Sequence, residues 1–120
     1  MKGSQILLVY ASDSGDRLTK ILHNSSWQVQ ATHTFREAME HLSRNGTPVV
    51  ICESSLPDGS WKDLLYKTRR LIVTSCAADE ALWAEVLNLG GYDVLAQPFD
   101  ETEVRRVVQL AERGASVDLP

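Results

Sequence analysis

The chain has 120 residues, 43% of them hydrophobic, and carries a formal net charge of −4 with a pI near 5.3. This suffices for one compact core and leaves no room for a second catalytic domain. An acidic balance whose densest cationic clusters are the pairs Arg69-Arg70 and Arg105-Arg106 supplies no broad positive field for nucleic acid, and no apolar run nears the ~20 residues that span a bilayer.

The opening Met1-Lys2-Gly3-Ser4 leads into a strand-like segment too short for a signal peptide's apolar region, so the expected location is cytoplasmic, without a membrane partner. From there strand-like and helix-like segments alternate five times. Strands are predicted at Gln5–Tyr10, Trp27–Thr32, Val49–Cys52, Leu71–Ser75 and Asp93–Ala96. Most are unbroken apolar runs, as parallel strands covered on both faces require. Between them Leu18, Ile21 and Leu22 share one face of a first helix, and Phe35, Ala38, Met39 and Leu42 follow the 3.6 period in a second. Trp61, Leu64 and Leu65 mark a short third helix, and only Lys67, Thr68, Arg69 and Arg70 separate its Leu64-Leu65-Tyr66 turn from the next strand.

A fourth helix, about Asp79 to Leu89, carries Leu82, Val86 and Leu89 with Trp83 and Leu87 beside them, a stripe broad enough to leave something for a partner. The fifth turns Val104, Val107, Val108 and Ala111 inward. Thr34 with Glu37 and Asp100 with Glu103 fit capping boxes, while Gly46 and Gly90-Gly91 fall where helices end. Residues 1–114 form the expected domain, and 115–120, without periodicity, a frayed tail or linker start.

Neither cysteine has metal-ligand spacing, and both Cys52 and Cys76 are expected as small buried hydrophobes. His23, His33 and His41 sit on polar, helix-side stretches and are expected to be exposed or half-exposed.

In an alternating architecture of this kind the strand ends converge, bringing together Tyr10 and Ala11, Glu53, Ser75, and Gln97-Pro98. Those corners, with the turn Leu56-Pro57-Asp58-Gly59 and Gln97-Pro98-Phe99, resemble the receiver domain of bacterial response regulators over about residues 5 to 113. The resemblance implies a flavodoxin-like (βα)5 doubly wound parallel sheet of strand order 2-1-3-4-5. It also implies a site with two adjacent acids after strand one, a phosphoacceptor Asp after strand three, a hydroxyl after strand four, and a Lys before a Pro that is usually cis. Mg²⁺ would balance the charge there. In this chain Tyr10-Ala11 stands for the acidic pair, Glu53 for the acceptor, Ser75 for the hydroxyl and Gln97 for the Lys.

With one strong carboxylate left, Mg²⁺ binding is expected to be weak or absent, and no other cofactor is implied. Asp13 could lean toward a metal or begin the first helix. Glu53 could accept a phosphoryl group, mimic one permanently by approaching Ser75, or serve as a strand-end acid that is solvated or bonded to nearby backbone N–H groups and switches nothing. Receivers couple the hydroxyl to an aromatic ring at the position of Val94; Tyr92, two residues earlier, would share its face.

The expected function is therefore an atypical, non-enzymatic receiver in two-component signalling, independent of phosphorylation and acting as a protein-interaction module. By resemblance its partner, an effector or a second copy, docks on the fourth helix, fifth strand and fifth helix, where Trp83, Tyr92, Arg105 and Arg106 lie. One alternative is a phosphoacceptor receiver with relaxed site chemistry. Another is a flavin or nucleotide binder, since Ser12-Asp13-Ser14-Gly15-Asp16 resembles the phosphate loop of flavodoxins, although Asp13 and Asp16 would repel a phosphate.

Overall fold

The structure, a computed structural model, describes residues 5–23, 27–45, 49–68, 70–76 and 80–114. The expectations for Gly46, Arg69, Asp79 and the tail from 115 fall outside those residues. The elements run β1 (Gln5–Val9), α1 (Ser14–His23), β2 (Gln28–Thr32), α2 (Phe35–Asn45) and β3 (Val49–Glu53). A two-stranded hairpin (Ser55–Leu56 with Gly59–Ser60) and a 3-10 helix (Trp61–Tyr66) follow, then β4 (Leu71–Ser75), α3 (Glu80–Asn88), β5 (Asp93–Ala96) and α4 (Glu101–Gly114). The five long strands form one parallel sheet in the order β2-β1-β3-β4-β5, the flavodoxin-like arrangement expected.

Alternation along the strands feeds two cores. Ile6, Leu8, Ile51, Ile72 and Leu95 point to one face, where Leu18, Ile21 and Leu22 of α1 and Val104, Val107, Val108 and Ala111 of α4 meet them. Leu7, Val9, Val50, Cys52, Leu71 and Val73 point to the other, under Ala38 and Leu42 of α2, Trp61 and Leu64 of the 3-10 helix, and Val86 of α3. Both faces being covered is why the strands read as continuous apolar runs. Each fully buried Leu or Ile contributes roughly 1.5–3 kcal/mol of transfer free energy.

The third helical segment is 3-10 rather than α. Few residues separate the hairpin from β4, and a 3-10 helix rises about 2.0 Å per residue against about 1.5 Å for an α-helix, so it spans more of the sheet's length with the same chain. Ser60 Oγ accepts from Lys62 N at 3.1 Å and Asp63 Oδ2 from Ser60 N at 3.3 Å, a capping box that sequence reading missed. At the end of α3, Gly90 takes φ +103° and Gly91 N–H reaches back 2.8 Å to Val86 O, the left-handed exit that glycine permits.

Several expectations shift. β1 stops at Val9 and β2 starts at Gln28, while β3 continues through Glu53. Cys52 is buried as expected but Cys76 is exposed, because it lies in the turn after β4 rather than within the strand. Tyr92 precedes β5 and packs against the α1–α4 core, whereas Val94 packs on the opposite core; outside the strand, the alternation that would have paired them does not apply. No helix among the described residues is long and apolar enough to cross a membrane.

Candidate functional site

Register assembles the strand ends. Val9 lies opposite Cys52, and Glu53 opposite Thr74, so Tyr10, Glu53 and Ser75 leave the sheet side by side. The ladder continues past the strands through Tyr10 N–H to Thr32 O at 3.1 Å, Ser54 N–H to Thr74 O at 2.9 Å, and Gln97 N–H to Ser75 O at 3.2 Å. Ser75 pairs with Ala96, next to Gln97, and the Gln97-Pro98 bond is cis, as the resemblance implies. Ser75 and Gln97 are half-buried. The four corners read from the sequence thus stand at one end of one sheet.

Glu53 reaches toward the β1–α1 loop. Its Oε1 accepts from Ala11 N–H at 2.8 Å and Ser12 N–H at 3.2 Å, and Ser12 Oγ donates to Oε2. Backbone N–H groups and a hydroxyl thus meet the carboxylate where the resemblance calls for acids sharing a cation. Such charge-assisted hydrogen bonds are among the stronger ones a carboxylate makes.

Tyr10 occupies the acidic-pair position by packing. Its ring lies on the first turn of α1 so closely that a Cβ at Gly15 would fall 1.9 Å from it. It meets His33 edge to face, with ring centroids 4.9 Å apart and planes at 83°. His33 Nδ1 is 3.1 Å from Tyr10 O. A carbonyl can only accept, so this nitrogen carries the proton. Asp13 stands at the entrance to α1, its carbonyl accepting from Asp16 N–H at 3.0 Å. No three His, Cys, Asp or Glu side chains cluster as metal ligands among the described residues.

Asp58, read from sequence only as part of a turn, caps α2. Its Oδ1 accepts from Phe35 N–H at 2.8 Å and its Oδ2 from Arg36 N–H at 3.1 Å. Those bonds, led by the one from Phe35, hold its carboxyl below the usual aspartate range. Thr34 completes the turn, Oγ1 accepting from Glu37 N–H and its carbonyl from Ala38 N–H, each at 3.1 Å. The expected capping box is half formed: the Glu37 carboxylate takes His33 N–H at 2.8 Å. Cys52, beneath the site, has its thiol pushed up to about 12, first by burial and then by the charge of Glu53.

On the α3–β5–α4 face Trp83 is 51% exposed and its Nε1–H donates to Asp93 Oδ1 at 3.1 Å, so it is a held surface residue rather than core. Arg105 pairs with Glu101 at 2.6 Å and Arg106 is exposed.

No protein-family model matches the chain, and no curated protein does. Solved structures do. A receiver domain protein from Clostridium thermocellum is 14% identical with a TM-score of 0.82, covering 98% of this chain and 100% of its own. The signal receiver domain of an HD domain-containing protein from Pseudomonas fluorescens is 22% identical with a TM-score of 0.78, covering 96% and 98%. A two-component response regulator from Clostridium difficile is 19% identical with a TM-score of 0.79, covering 92% and 97%. The chain has the fold of response-regulator receiver domains.

Proposed function

We propose that the chain is an atypical receiver of two-component signalling, a cytoplasmic protein-interaction module that works without phosphoryl transfer and without resident Mg²⁺. The observation that carries this reading is the engagement of both Glu53 oxygens by Ala11 N–H, Ser12 N–H and Ser12 Oγ. A carboxylate with loop donors on both oxygens is poorly placed to ligate a cation that favours several carboxylates, and Tyr10 offers it none. The same bonds stand in for the metal by tying the β1–α1 loop to the end of β3. They also occupy the Ser12 N–H, the first of the loop that a flavin phosphate would need, which disfavours a flavodoxin-like role.

The binding face is α3, β5 and α4, with Trp83 as anchor and Arg105 and Arg106 at its charged margin. Amide NMR with beryllofluoride or acetyl phosphate plus Mg²⁺ tests the reading. Spectra unchanged at Glu53, Ser75 and Gln97 are expected; shifts clustered there would establish a phosphoacceptor with relaxed chemistry instead.

A further inference from the structure

The hydrogen bonds around Glu53 and Asp58 are two parts of one closed ring. From Glu53 the ring passes to Ala11 and Ser12 of the β1–α1 loop. It continues through Tyr10, whose carbonyl accepts from His33. His33 N–H is held by Glu37, in the first turn of α2. The first two N–H groups of that turn, on Phe35 and Arg36, are held by Asp58. Asp58 lies in the hairpin that follows Glu53 directly, so the chain itself closes the circuit. Packing stiffens it at two points: the Tyr10 ring rests on Gly15, and a Cβ at Gly59 would fall 2.9 Å from the Phe35 ring. The links from Glu53, His33 and Asp58 each join segments distant in sequence, while the one from Glu37 ties His33 to the first turn of its own helix, so a shift of one loop strains the bond to the next.

We propose that this ring is a conformational strap that couples the Glu53 end of the sheet to the first turn of α2, so that a change at either carboxylate is felt at the other. The route to α2 differs from one through Tyr92, which packs against the opposite core. The coupling stands whether or not the chain accepts a phosphoryl group, and its test is separate from the phosphodonor titration.

Amide hydrogen exchange on the full chain reads it. Asp58→Asn is expected to raise exchange at Phe35 and Arg36 by about tenfold and, through the ring, at Ala11 and Ser12 by about threefold. Leu7 and Ile51, in the sheet interior, remain protected and exclude global loosening. In a His33→Ala background the response at Ala11 and Ser12 falls, because only the chain between Asp58 and Glu53 then joins the two carboxylates. Should Asp58→Asn fail to fold, Glu53→Gln read at Phe35 and Arg36 tests the same path in reverse. The proposal is overturned if Ala11 and Ser12 ignore Asp58→Asn, if they respond equally with and without His33, or if Phe35 and Arg36 ignore Glu53→Gln.

Discussion

An aspartate at position 53 would carry its carboxylate one methylene short of the β1–α1 loop, whereas glutamate reaches Ala11 N and Ser12 N at 2.8 and 3.2 Å. Glu53→Ala is expected to cost about 1 kcal/mol, since water reaches the freed donors of an exposed loop, and the urea midpoint measures it. A second residue-scale prediction concerns Gly15. Gly15→Ala would drive a methyl into the Tyr10 ring and destabilise by about 1–3 kcal/mol despite alanine's better helix propensity. In a Tyr10→Ala background the same change becomes neutral or favourable, and the double-mutant cycle gives the coupling directly. The two thiols separate as well. Cys76 is exposed and Cys52 buried with its thiol near 12, so a thiol reagent at neutral pH titrates one group per native chain and two after denaturation.

Among the elements, the first turn of α2 depends on a residue 23 positions away in sequence. Asp58 has a carboxyl pKa lowered in the folded state, so the unfolded chain binds its proton more readily. Its contribution is therefore complete above the ordinary aspartate range near 4 and is lost as pH falls through the folded value. The melting temperatures of the parent and Asp58→Asn should differ at neutral pH and converge in acid. What was legible in advance follows the same division between local and distant partners. The strands could be read because apolar runs covered on both faces look alike wherever they occur, and the caps at Thr34 and Asp100 because cap and helix adjoin. The strand-end convergence followed from topology. The direction taken by Glu53, the link from His33 to Tyr10 and the Asp58 cap could not be read, since each joins loops that adjoin only after folding. The 3-10 segment was visible as a shortage of residues, not as a change of helix type.

Over the whole molecule, stability and binding draw on different residues. The sheet is double-covered, and Leu7→Ala, at a position with 0% exposure, is expected to cost about 2–5 kcal/mol in denaturant unfolding while leaving the α3–β5–α4 face intact. Helix α3 shows the reverse: Val86 is its one buried residue, while Trp83 and Leu87, and Leu89 just past its end, stand exposed. If that face holds a second copy or an effector, Trp83→Ala should weaken the complex by about thirtyfold, equivalent to about 2 kcal/mol, with little change in unfolding. Sedimentation across a concentration series measures it.

The indole of Trp83, fixed by Asp93 yet half in water, differs in one further respect from Trp61, which is 3% exposed in the core. In a Trp27→Phe background, which removes the third indole of the chain, the two rings are intrinsic optical reporters with opposite surroundings. Acrylamide should quench the red edge of the emission first, a bound partner should shield that component and shift it blue, and the core emission should stay constant until the chain unfolds. The same protein, unlabelled, thus reports occupancy of its surface and integrity of its interior as two separable colours.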